Sequence, residues 1–129
     1  MATPPLRSPL ARAIGLGSAK EGVRHWWAQR ISALALVPLA LWFVASVVEL
    51  AGADRALVVA WVHQPLAAML LVLLVVATFY HGALGLQVVI EDYVANEGLR
   101  LGLVIAAWLL AVAFVVRGIL AVVTLSLGA

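Results

Sequence analysis

No cysteine occurs anywhere in the 129-residue chain. That excludes a disulfide framework, and it excludes any zinc or iron–sulfur centre held by the chain's own thiolates. Charge is nearly as scarce: Asp, Glu, Lys and Arg make up 11% of the residues, against about 25% in an ordinary soluble domain. The first 25 residues, "MATPPLRSPLARAIGLGSAKEGVRH", also lack the roughly 7–15-residue apolar core of a signal peptide. There is no internal repeat, and no nucleic-acid partner is expected. What the chain has instead is hydrophobic side chains, 66% of the total. A chain of this size has room for one small domain, and three spans of about 20 residues each would use about half of it. No large soluble catalytic core fits beside them, so the composition predicts an all-α membrane protein.

The apolar runs place the spans at about 29–50, 65–91 and 100–125, following a tail over residues 1–25 and together forming a membrane anchor domain over 26–129. The first contains "ISALALVPLALWFVASVVEL", in which Pro38 is expected to kink the helix. Between spans one and two, "AGADRALVVAWVHQ" brackets apolar residues with Asp54, Arg55, His63 and Gln64, the pattern of a short helix at the interface. Pro65 suits the first turn of the second span.

Basic residues set the expected orientation. Arg7, Arg12, Lys20, Arg24 and Arg30 precede span one, Arg55 alone follows it, Arg100 precedes span three and none follows Arg117. By the excess of cytoplasmic cations, the N-terminus and the tail lie in the cytoplasm and the C-terminus outside. Trp26, Trp27 and Tyr93 then mark the inner interface and Trp61 the outer one. Arg117 falls roughly 24 Å beyond Leu101 at helical rise, where snorkelling to the outer headgroups accounts for it. Trp42 and Trp108 are expected to face lipid or a neighbouring helix.

Polar residues inside such a chain carry the functional information. The stretch "HGALGLQVVIEDYV", residues 81–94, holds a histidine in an apolar run and ends in Glu91, Asp92 and Tyr93. Asp92 lies eleven residues after His81, or about 16 Å, and eleven steps of 100° bring it within about 20° of the same helix face. Gly85 and Val88 lie on that face between them. A glycine one turn from a histidine leaves a notch for a flat ring, or equally a place where another helix comes close. His81 is read either as an interhelical hydrogen-bonding group or as an axial ligand of haem iron through a neutral imidazole. The other histidines, His25 and His63, sit near opposite membrane faces, each roughly 15 Å or more from His81 along the normal. A second axial ligand would have to come from another chain. Glu91 points about 100° away from Asp92 and reads as a solvated helix end, and Gln87 reads as helix packing.

This arrangement resembles the small membrane-anchor subunit of succinate dehydrogenase, respiratory complex II. The resemblance rests on His81, on Gly85 four residues later, on Asp92-Tyr93 eleven and twelve residues after the histidine, and on Arg30 at the head of span one. The upstream "GSAKEGVRHWWAQRISALALVPLALWF" is similar to the bacterial, especially alphaproteobacterial, members. It implies that His81 is a haem b ligand opposed by the cytochrome b anchor subunit. Tyr93 then hydrogen-bonds a ubiquinone carbonyl with Asp92 beside it, and Arg30 lies close to the haem propionates and the quinone. Ser32 is not equated with the quinone-site serine, which the resemblance assigns to the other anchor. The further partners implied are the iron–sulfur and flavoprotein subunits on the inner face of a bacterial cytoplasmic membrane. This chain contributes no catalytic residue on its own and no metal ligand besides His81. Two other readings remain: an anchor of a quinol:fumarate reductase, and a structural or assembly membrane protein without a cofactor. His25 and His63 receive no assured role.

Overall fold

A computed structural model describes residues 20–128 of the chain, and every described element is helical. The four helices are α1 (Lys20–Glu49), α2 (Arg55–Val62), α3 (Pro65–Tyr93) and α4 (Glu97–Ser126). Of these, α1, α3 and α4 are long and apolar enough to cross a membrane. The greater part of the tail expected over 1–25 lies outside the described residues. Its last residues, from Lys20, already belong to α1, which begins nine positions ahead of the span expected from residue 29. Hydropathy marks the part of a helix that lipid can hold, whereas the helix itself runs until a breaker, and "KEGVRHWWAQR" contains no proline. Pro38 does not end the helix either, since α1 continues through it to Glu49.

The helix ends are built from recognisable caps. Asp54 accepts from the Leu57 amide at 2.8 Å and starts α2. Asn96 accepts from the Leu99 amide at 2.9 Å and starts α4. Each satisfies one of the otherwise orphaned first-turn donors. Pro65 opens α3, where its missing N–H costs nothing. Gly52 turns the chain between α1 and α2 with φ +83°, a conformation few other residues tolerate.

α3 is the central helix: it packs against α1 on one side and α4 on the other, while α1 and α4 make no direct helix-to-helix packing among the described residues. Both seams are antiparallel. On the α4 side, Phe79 stacks on Phe114 at 5.3 Å between centroids, and a Cβ added at Gly118 would come within 2.7 Å of the Val75 side chain. The outward faces carry Leu34, Leu41, Val48, Leu101 and Leu109, all exposed. Such a surface is stable against lipid or another apolar chain and would aggregate in water.

Candidate functional site at the junction of α1 and α3

His81 sits where α1 and α3 meet. His81 Nδ1 lies 2.9 Å from the Ser32 hydroxyl oxygen of α1. Ser32 is 7% exposed, and its hydroxyl also lies 3.1 Å from the Gln29 carbonyl oxygen one turn earlier. A serine hydroxyl has one proton to give. Donated to Gln29, it leaves an oxygen lone pair that accepts from Nδ1–H, so both short distances are hydrogen bonds. Donated to Nδ1 instead, it makes one bond and loses the other. The first arrangement keeps one more hydrogen bond. The ring is then protonated at Nδ1 and carries its lone pair on Nε2. Nε2 makes no hydrogen bond to the described residues, which leaves its lone pair available to a ligand.

Two glycines shape the surroundings of the ring. A Cβ added at Gly82 would meet nothing within 4 Å, so the surface next to His81 is open. A Cβ added at Gly85 would meet the Gln29 amide nitrogen at 3.5 Å. The end of the Gln29 side chain thus lies over Gly85. Of the two sequence readings of His81, the interhelical hydrogen bond is present and engages Nδ1; it does not occupy Nε2, the nitrogen that ligation would use.

Toward the Tyr93 end of α3, a cleft of about 830 Å³ opens among His25, Gln29, Tyr80, Gln87, Glu91 and Trp108. Trp108 Nε1 donates to Gln87 Oε1 at 2.9 Å, and Gln87 Nε2 donates to Glu91 Oε1 at 2.8 Å. Gln87 thus does more than pack: it ties α3 to α4. His25 Nε2 and Gln29 Oε1 are buried beside this cleft without a hydrogen-bond partner among the described residues. The remaining expected site residues are at the helix ends. Tyr93 is 85% exposed and Asp92 is exposed as well. Arg30 is exposed with its guanidinium 4.7 Å from the Trp26 ring centre, a cation–π contact, rather than paired with Asp92. The structure brings Ser32 to His81 and Gln29 to Gly85, and brings neither Tyr93 nor Asp92 to His81. His63 lies at the opposite end, with Arg55 and Gly128. Trp42 faces a neighbouring helix, stacked on Trp61 of α2 at 5.7 Å. Arg117 is exposed on α4.

The chain matches, over residues 4–119, the family described as succinate dehydrogenase/fumarate reductase transmembrane subunit. It belongs to that family. Among similar proteins, the succinate dehydrogenase hydrophobic membrane anchor subunit of Rickettsia bellii is 36% identical over 116 residues, covering 90% of this chain and 93% of that one. The protein of the same name from Paracoccus denitrificans is 31% identical over 122 residues, covering 95% and 94%. That from Rickettsia conorii is 30% identical, covering 89% and 92%. No solved structure matches the chain. Family membership, bacterial membrane-anchor relatives and three apolar spans make this transmembrane subunit a multi-pass protein of the bacterial inner membrane.

Sequence reasoning passed over Ser32 as a partner of His81, although a signal existed. Ser32 lies twelve residues after the start of α1 and His81 twelve before the end of α3. Antiparallel helices that begin and end level with one another bring such positions to the same depth.

Proposed function

We propose that this membrane anchor subunit of succinate dehydrogenase supplies an axial ligand to haem b through His81 Nε2 and contributes to a ubiquinone-reducing site through Tyr93, Asp92 and Arg30. The single observation that carries the haem reading is the state of the His81 ring: Nδ1 is held by Ser32, while Nε2 makes no hydrogen bond to the described residues. Iron-bound histidines are held in this way, with the distal nitrogen anchored and the near one free. His25 and His63 each lie roughly 15 Å or more from His81 along the membrane normal, so the opposite axial ligand is assigned to a second anchor subunit, the cytochrome b subunit. When bound, haem supplies a one-electron carrier within the membrane.

The quinone roles rest on the resemblance and on position. Tyr93 ends α3, presents its hydroxyl outside the helix bundle, and is a suitable donor to a carbonyl oxygen brought by neighbouring subunits. Asp92 beside it can order water for the protons that quinone reduction consumes. Arg30, at the same end of the bundle, offers a positive charge to haem propionates or quinone. The N-terminal end of α1 and the C-terminal end of α3 are assigned to the cytoplasmic side by the five basic residues before span one. The iron–sulfur and flavoprotein subunits dock there in this reading. The family also covers fumarate reductase subunits; the names of the relatives favour the dehydrogenase, and identifying the quinone that co-purifies with the complex discriminates the two.

The test of the haem reading is the electron paramagnetic resonance spectrum of the assembled complex with His81→Ala. Loss or displacement of the low-spin haem signal, with His25→Ala and His63→Ala unchanged, is expected. A wild-type signal in His81→Ala contradicts ligation.

A further inference from the structure

We propose that Ser32 is a positioning residue for His81: its hydroxyl fixes the tautomer and the plane of the imidazole so that Nε2 is presented to the haem iron. This rests on the ligation reading above and adds to it a residue outside the motif that carries the family resemblance. Ser32 is buried, lies at the depth of His81, and makes two contacts that together leave one proton arrangement in which both are hydrogen bonds. The Gln29 carbonyl takes the hydroxyl proton, so the oxygen that faces His81 acts as an acceptor. Gly85 helps, because the absence of a side chain there lets Gln29 lie over α3. An Nδ1–H that donates to a neighbouring oxygen makes the imidazole a more basic ligand and hinders rotation of the ring.

Ser46 provides an internal control. It too is buried in α1, but its hydroxyl bonds only to its own helix, at the Trp42 carbonyl 2.9 Å away. A role limited to helix structure would be shared by both serines, whereas a role in positioning His81 belongs to Ser32 alone.

The experiment compares Ser32→Val, Ser32→Thr, Ser46→Val and His81→Ala in the fully assembled complex in native membranes. The readouts are the g-values of the low-spin ferric haem and the competition of carbon monoxide for the ferrous iron. Valine and threonine have nearly the same shape and differ by the hydroxyl, and threonine can bond the same preceding carbonyl. Ser32→Val is expected to shift the g-values and to raise the apparent affinity for carbon monoxide by about 10-fold, the lower end for loss of a supporting hydrogen bond at a metal site. Ser32→Thr and Ser46→Val are expected to match the wild type. If the valine side chain hinders assembly, Ser32→Ala, which is smaller and also lacks the hydroxyl, gives the same expected shift. A wild-type spectrum in Ser32→Val or Ser32→Ala, alongside a changed one in His81→Ala, overturns the positioning role and leaves ligation standing. Equal changes in the threonine and valine variants also overturn it, since the hydroxyl would not be the cause. An unchanged spectrum in His81→Ala overturns ligation and the role of Ser32 with it.

Discussion

The two seams of the central helix are built from different chemistry. Along α3 and α4 the contacts are close and largely apolar, with Val75 against Gly118 and Phe79 stacked on Phe114, fastened by the bond from Trp108 to Gln87. Along α1 and α3 an apolar stretch, where Ile31, Ala35 and Leu39 line a shared pocket with Leu73, Val76 and Ala77, gives way to polar contacts: Ser32 to His81, Gln29 over Gly85, and, beside an open cleft, two buried polar atoms without partners among the described residues. Lipid provides little hydrophobic drive between helices, so a seam that serves only as scaffold relies on small residues and close packing. A polar seam within apolar helices costs stability unless its groups are used. The comparison assigns structure to α4 and chemistry to α1 with α3.

The largest effect on the scaffold seam is expected at Gly118. An alanine there would place its Cβ 2.7 Å from Val75 Cγ1, too near for both to stay, and overpacking of this kind costs about 1–3 kcal/mol. The complex carrying Gly118→Ala should lose its anchor subunits at lower temperature than the wild type, as followed by subunit retention after heating. The equivalent change on the polar seam, Gly85→Ala, meets only the end of a flexible side chain at an ordinary 3.5 Å and should leave retention near normal. Equal sensitivity at the two glycines would abolish the distinction between the seams.

A smaller change is expected at Tyr93, just past the polar seam. Tyr93→Phe keeps the ring and removes the hydroxyl, and loss of a neutral hydrogen bond to a quinone carbonyl should lower ubiquinone reduction by about 2-fold to 10-fold. Succinate oxidation with an artificial acceptor that takes electrons before the quinone should be unaffected. A fully assembled variant that reduces ubiquinone at the wild-type rate and apparent affinity would make Tyr93 an interfacial anchor.

Smallest is the effect of Trp108→Phe, which removes the donor to Gln87 while keeping an aromatic ring near Tyr80. Bonds of this kind between membrane helices average about 0.6 kcal/mol. A slight fall in thermal retention with an unaltered haem spectrum is expected. A changed haem spectrum would extend the functional region across to α4.

The scaffold was legible in the sequence to a greater degree than the site. Continuous apolar runs disclosed all three spans, and Asp54 to Gln64 disclosed the short helix, because lipid demands such runs and helix ends demand their caps. The extension of α1 back to Lys20 was not legible by hydropathy, since those residues are polar enough to lie outside the bilayer while remaining helical. At the site, His81 was conspicuous as a titratable group in an apolar run. Its partner Ser32 was not, because serines are ordinary in membrane helices and only the register of α1 against α3 gives this one its role. The same holds for Gln29 and for the pairing of Gln87 with Trp108, which depend on contacts between segments distant in the chain.

The central claim is that His81 Nε2 is the atom this subunit offers to haem iron. Replacing His81 by glycine removes the ligand and leaves a cavity that free imidazole can enter, so the low-spin haem signal of the assembled complex can be followed before and after imidazole is added. The account predicts that His81→Gly lacks the wild-type signal and that imidazole restores a low-spin signal. A wild-type low-spin spectrum in His81→Gly, present without imidazole and indifferent to it, would contradict the claim.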